Sequence, residues 1–192
     1  MKIIKYTWSE IEGACADVCR QMQKDAWMPD YIVGITRGGL IPSTLISHYL
    51  SVPLHTLSVS LRDQVQVESN LWMAEDAFGY LPVEERTDAE FEITHLPVKG
   101  DASSYTRRKN ILIVDDINDT GKTFQWIQQD WPSVCLPDHE RWQSVWNQNV
   151  RFAVLHNNES SDFKDVDYAA NYINKSEQDC WIVYPWEALA PA

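Results

Sequence analysis

Basic side chains are scarce in this chain: sixteen Lys and Arg stand against twenty-eight Asp and Glu over 192 residues, a formal net charge of −12. No broad cationic surface is available to displace counterions from phosphates, so nucleic acid is not an expected partner. A small polyanion can bind such a chain only where backbone amides and a divalent cation supply the positive field. Long apolar runs are missing too. No stretch approaches the ~18 residues of a membrane span, and Met1-Lys2-Ile3-Ile4-Lys5 turns polar before a secretory apolar region develops. The expectation is a cytoplasmic protein with no membrane partner. Cysteine is limited to Cys15, Cys19, Cys135 and Cys180, without the number or spacing of a disulfide framework. Cys15 and Cys19, at i and i+4, lack a second Cys/His pair to complete a metal site and read as buried thiols on one helix face. His48, His55, His95, His139 and His156 form no cluster by spacing, so none is assigned to metal; His156 lies nearest the candidate site described below. With only seven Gly, 44% apolar residues and nine Trp, the composition is that of a globular protein. It is read as a single domain over 1–192.

Thr7-Trp8-Ser9-Glu10 has the form of a capping box, and Ile11, Ala14, Cys15, Val18, Cys19 and Met22 follow at helical spacing, predicting a helix over 7–25. Residues 31–35 read as a strand closed by Thr36-Arg37-Gly38-Gly39, and 40–50 as a helix with Pro42 in its first turn. Residues 52–61 and 111–114 are further strands, the latter running into Asp115-Asp116 and then a helix over 120–131. Residues 151–155, 166–170 and 181–184 are shorter apolar segments. Alternating strands and helices predict an α/β fold with a mainly parallel sheet flanked by helices. Two segments break the rhythm. Residues 64–105, with Asp76, Glu84, Glu85, Asp88, Glu90 and Glu92 and no strong period, are read as an insertion forming a hood or lid. Residues 132–149 form a smaller insertion in which Trp142 and Trp146 mark one face of a short packing helix.

Residues 111–123 carry the most chemistry. Four apolar residues lead into two carboxylates, and Asp119-Thr120-Gly121-Lys122-Thr123 offers hydroxyls and amides at a helix start, a turn suited to phosphate. Gly121-Lys122-Thr123 is not the end of a P-loop, because Asp116 stands where that motif needs glycine. An acidic pair beside a phosphate turn points to a phosphorylated sugar, its hydroxyls or a hydrated cation meeting the carboxylates.

The stretch resembles the signature of the type I phosphoribosyltransferases for 5-phosphoribosyl pyrophosphate (PRPP), in which apolar residues precede an acidic pair and a D-T-G-x-T turn. Thr36-Arg37-Gly38-Gly39-Leu40 is similar to the pyrophosphate loop of the 6-oxopurine branch, which includes the xanthine-guanine enzymes. Asp179-Cys180-Trp181-Ile182 with Pro185-Trp186-Glu187 resembles that branch's base-binding terminal segment. The resemblance implies the fold of that family and Mg²⁺-dependent transfer of phosphoribosyl from PRPP to a nucleobase, with pyrophosphate and a nucleoside monophosphate as products, in a homo-oligomer. It implies that Asp115 and Asp116 meet the ribose hydroxyls directly or through Mg²⁺, and that Thr120, Gly121, Lys122 and Thr123 cradle the 5-phosphate. Asp119 would face the base and take or share its N7 proton. Thr36, Arg37, Gly38 and Gly39 would hold pyrophosphate, with Asp119 and Arg37 the catalytic pair and the Thr36–Arg37 peptide cis. Trp181 would stack on the base, the main chain of Ile182 would bond its edge, and Glu187 would help hold a second Mg²⁺.

The sequence departs from the pattern at two places. Where the 6-oxopurine enzymes carry a lysine that reads the 6-oxo group, this chain has Asn157 or Asn158 as the base-binding residue. Asparagine both donates and accepts, so an exocyclic amine is as compatible as an oxo group. Where the family's flexible loop starts with Ser-Tyr, this chain has Leu61 and Arg62. The readings left open are a purine transferase, a transferase for a modified base, a non-catalytic sensor of PRPP or nucleotide, and a scaffold built on residues 64–105.

Overall fold

The computed structural model describes residues 1–59, 71–79 and 108–187. Along them run β1 (Lys2–Lys5), α1 (Trp8–Lys24), β2 (Tyr31–Thr36), α2 (Leu40–Leu50), β3 (Leu54–Ser58) and α3 (Leu71–Phe78). β4 (Ile111–Asn118), α4 (Lys122–Val134), β5 (Val150–Asn158), β6 (Tyr168–Ile173) and β7 (Cys180–Val183) follow. The capping box starts α1 as expected: Thr7 N–H donates to the Glu10 carboxylate at 2.7 Å, and Glu10 N–H to Thr7 Oγ1 at 3.3 Å. Ile11, Ala14, Cys15, Val18, Cys19 and Met22 form the buried face of α1. Burial pushes the Cys15 thiol up to about 12 and that of Cys19 up to about 11, so both stay protonated and inert.

β2 to β6 build one five-stranded sheet in the order β3-β2-β4-β5-β6, and β1 with β7 makes a separate two-stranded one. Every pairing is parallel. The central strands are apolar on both faces because helices cover both. On one side Val33, Ile113 and Phe152 pack with Phe78 of α3 and Phe124, Ile127 and Trp131 of α4. On the other, Ile32, Leu112 and Ala153 pack with the buried faces of α1 and Ile46 of α2.

Several elements differ from the sequence reading. β1 is unforeseen, being four residues long with mostly exposed side chains. It forms because residues 181–184, read only as an apolar segment, supply β7 as its partner, with Lys2 opposite Cys180 and Ile4 opposite Ile182. β4 continues past Val114 to Asn118, so the acidic pair lies within the strand, and α4 starts at Lys122. β6 starts two residues later than Val166: Asp167 N–H donates to Phe152 O at 2.9 Å, but it is the Asp167 side chain that accepts Phe152 N–H, at 2.8 Å. Inside the segment read as a hood, α3 buries Met73, Ala74, Ala77 and Phe78 and belongs to the core; the rest of 64–105, and Leu61 and Arg62, lie outside the described residues. The second insertion holds a 3-10 helix, Glu140–Ser144, that buries Trp142, whose ring stacks on Trp146 at 5.8 Å. No helix among the described residues is long and apolar enough to cross a membrane.

Candidate active site

The strand order places β2 at a reversal point: its chain continues to β3 on one side while β4 pairs on the other. Ligands bind outside the carboxyl ends of strands at such a point, and there the loop after β2 meets the turn after β4. The Thr36–Arg37 peptide is cis. Gly38 and Gly39 let this loop lie flat on β4. A Cβ on Gly39 would fall 2.3 Å from Val114 O and 2.9 Å from Asp115 Cα, and one on Gly38 would meet the Asp116 carboxylate at 2.4 Å. Gly39 caps α2 without a side-chain hydrogen bond, and Gly121 does the same for α4. Both helix starts therefore lack a side-chain cap, as an anion-binding helix start does, and the α2 start lies directly against the acidic pair. Gly121 has φ +87°, and a Cβ there would strike Phe163 N at 2.5 Å, so both conformation and space require glycine. Arg37, Thr120 and Lys122 are exposed beside these starts, and Thr36 and Thr123 half-buried.

Asp115 and Asp116 sit half-buried beneath the loop. Burial raises both carboxyls above the ordinary range; Asp116 adds repulsion on Asp115, and the nearby Glu187 charge adds repulsion on Asp116. Among the described residues no Lys or Arg forms an ion pair with either. The site thus concentrates negative charge without a cation of its own. Oxygen donors in this state suit a hard divalent ion that keeps most of its waters; no group of three or more His, Cys, Asp or Glu among the described residues is arranged to hold a metal by protein ligands alone. Glu187 is exposed, and its Oε2 accepts Tyr184 N–H at 2.9 Å.

Asp119 is drawn into a different network. Its Oδ1 lies 2.9 Å from Lys175 Nζ, and its carbonyl accepts Asn158 Nδ2 at 2.9 Å. Asn158 is turned inward, 6% exposed, and its Oδ1 takes the amides of Ser160 at 3.2 Å and Lys175 at 3.0 Å. Asn157 accepts Asn118 Nδ2 at 2.8 Å. Trp181 is the reverse case, a large aromatic side chain left 52% exposed, with Lys175 Nζ 5.9 Å from its ring centroid. The Ile182 side chain is buried. Lys2 N–H donates to Asp179 O at 2.8 Å and Tyr6 N–H to Val183 O at 3.1 Å. In a parallel ladder this register turns alternate residues to the partner, so Ile182 presents its N–H and C=O on the edge away from β1.

Two groups went unremarked in the sequence. Lys175 had no motif around it. Tyr184 closed the apolar segment 181–184, yet only its fold position reveals its part: its hydroxyl donates to Asp116 O at 2.9 Å and lies 2.9 Å from His156 Nδ1. With the hydroxyl hydrogen used on Asp116, His156 donates through Nδ1. Burial holds its imidazole down at about 4, neutral and fully enclosed.

Residues 6–128 match the profile of the phosphoribosyl transferase domain family. The chain belongs to this family. Curated relatives place it among enzymes: it is 25% identical to a hypoxanthine-guanine phosphoribosyltransferase of Schizosaccharomyces pombe over 95% of this chain and 88% of that protein. It is 27% identical to a xanthine-guanine phosphoribosyltransferase of Cereibacter sphaeroides over 81% of this chain and 68% of that protein. A solved purine phosphoribosyltransferase from Pyrococcus horikoshii superposes with a TM-score of 0.60 at 21% identity, covering 100% of this chain and 98% of that one. The fold is thus the type I phosphoribosyltransferase fold, and the enzyme class is that of the glycosyltransferases that move a pentosyl group.

Proposed function

We propose that this phosphoribosyltransferase is Mg²⁺-dependent and moves the 5-phosphoribosyl group of PRPP to a purine base, releasing pyrophosphate and a nucleoside monophosphate. The observation that carries the reading is the packing of the Gly38-Gly39 loop on Asp115 and Asp116, with a second helix start lacking a side-chain cap at Gly121, five residues on from Asp116. The names of the curated relatives support the choice of a purine.

In this reading the amides of Thr120 to Thr123 and their hydroxyls hold the 5-phosphate, Asp115 and Asp116 meet the ribose hydroxyls, and Thr36, Arg37, Gly38 and Gly39 hold pyrophosphate. Mg²⁺ would be held by Asp115 and Asp116 with Glu187 beside them, and would neutralise charge on the leaving pyrophosphate. The purine lies on Trp181, its edge toward the main chain of Ile182. Its ring nitrogen forms a bond to C1 of the ribose as the bond from C1 to pyrophosphate oxygen breaks, and that electron pair leaves with pyrophosphate. The proton at N7 passes to Asp119, which an ion pair with Lys175 keeps at the turn. Asn158 serves this end by holding Asp119 and Lys175, and Asn157 by fixing Asn118 beneath the turn. The reading extends to a homo-oligomer in the cytoplasm, which light scattering and fractionation test.

The decisive assay offers PRPP, Mg²⁺ and a panel of purine and pyrimidine bases and reads product mass. A nucleoside monophosphate from hypoxanthine, guanine or xanthine is expected. PRPP binding with no product from any base overturns the transferase reading and leaves a sensor; a product from a modified base alone redirects it to that acceptor. Asp119→Asn is expected to lower kcat by about 100-fold while PRPP affinity stays within about threefold. Comparable loss of both removes Asp119 from the proton-accepting role.

A further inference from the structure

Lys175 stands at the junction of three elements. Its amide is bonded to Asn158 at the end of β5, its ammonium to Asp119 in the β4–α4 turn, and the same ammonium overhangs Trp181 of β7. The segment that carries it is fixed by its own bonds: Asn174 Oδ1 accepts Ser176 N–H at 3.1 Å, and Asn174 O accepts Gln178 N–H at 2.9 Å. The Lys175 side chain is 22% exposed against 45% for Asp119. It is therefore held against the site rather than extended into solvent, as an ordinary surface lysine would be.

This position has a chemical consequence for any purine seated on Trp181 with N7 toward Asp119. On that edge of the ring, position 6 is the neighbour of N7. Guanine and hypoxanthine present an oxygen acceptor there, and adenine presents an amine donor. An ammonium carries three donors and no acceptor, so it matches the oxygen and opposes the amine. Asn158 cannot make this choice, since its carbonyl and amide are spent on Ser160, Lys175 and Asp119.

We propose that Lys175, reaching from the β6–β7 connection to lie between Asp119 and Trp181, is the specificity-determining residue that selects bases with a 6-oxo group over those with a 6-amino group. The proposal rests on the phosphoribosyl-transfer reading above.

The test is kcat/KM for hypoxanthine, guanine and adenine in the wild-type enzyme, Lys175→Met and Lys175→Arg, with PRPP affinity by calorimetry and thermal unfolding of each. Wild type is expected to prefer the oxo bases. Lys175→Met should lower turnover of every base, because Asp119 loses its ion pair, and should lose about 30- to 100-fold more on the oxo bases than on adenine, the range for a charge-assisted hydrogen bond, while PRPP affinity is unchanged. Lys175→Arg, which keeps the donors, should recover most of the loss. A wild type that prefers adenine, or a Met variant that keeps its base ratio or falls equally on all bases, overturns the role of Lys175 while leaving phosphoribosyl transfer standing. A wild type that binds PRPP and consumes no base overturns both.

Discussion

The two ends of the site are built in opposite ways. The end proposed to hold phosphate consists of two short contiguous runs, 36–39 and 115–123, in which glycines allow close backbone approach beside two carboxylates. The end proposed to hold the base is made of side chains from distant points of the chain, with Asp119, Asn158, Lys175 and Trp181 meeting through hydrogen bonds, an ion pair and one cation–ring contact. The first kind of construction tolerates almost no change of residue but reads plainly in a sequence. The second tolerates substitution, since each contact is worth little alone, and leaves no local pattern. A sharp division of mutational sensitivity between the ends follows.

The largest effect is expected at Gly39. A Cβ there meets Val114 O at 2.3 Å, Ile35 O at 2.8 Å and Asp115 Cα at 2.9 Å, all backbone atoms that no side-chain rotation can clear. Gly39→Ala should destabilise the fold by about 2–4 kcal/mol in urea denaturation and weaken PRPP binding by at least about 100-fold, equivalent to losing two charge-assisted hydrogen bonds. Gly13 is the control. It lies in α1 with nothing within 4 Å of its built Cβ, so Gly13→Ala should stabilise by about 0.5–1 kcal/mol. If Gly39→Ala binds PRPP as the wild type does, the phosphate end is not the backbone construction described.

This division also accounts for what was legible in advance. The helix faces, the parallel sheet and the phosphate turn rest on periodicity or adjacency, and Thr7, Cys19, Gly121 and Thr123 lie where the pattern put them. β1 was hidden because Lys2–Lys5 gains strand character only from its partner β7. α3 was hidden because Leu71–Phe78 is a short apolar turn inside an acidic stretch. Lys175 was hidden because an ion pair between residues 119 and 175 has no signature along the chain. The joint between the ends was also invisible, since it runs His156–Tyr184–Asp116 through three elements.

That joint gives the second prediction. Burial lowers His156 from 6.5 to about 4, so between those values the unfolded chain binds the proton and the folded chain does not. Stability contributed by His156 is complete above pH ~6.5 and falls as pH drops toward 4, by about 3 kcal/mol in total. The raised carboxyls of Asp115 and Asp116 work in the opposite sense, binding protons in the folded state and gaining stability as pH falls. The difference in urea stability between wild type and His156→Asn isolates the histidine: it should be flat above pH ~6.5 and shrink by about 3 kcal/mol toward pH 4. A difference independent of pH would mean that His156 is not held neutral by the joint.

The smallest effect is expected at Trp181, where the base end can be separated from the fold. Its ring is 52% exposed and pairs across the ladder with Ile3, itself 57% exposed, so truncation removes little core. Trp181→Ala should shift unfolding by no more than about 0.5 kcal/mol, as surface substitutions do, and leave PRPP affinity unchanged. Base stacking on an aromatic ring contributes about 1–3 kcal/mol, so KM for the base should rise by roughly 5- to 100-fold while kcat changes less. Lys175 loses its ring contact in the same variant but keeps Asp119. The preference between oxo and amino bases should therefore survive the loss of affinity, and a preference that vanishes with Trp181 would place selectivity in the stacking surface instead of in the ammonium above it.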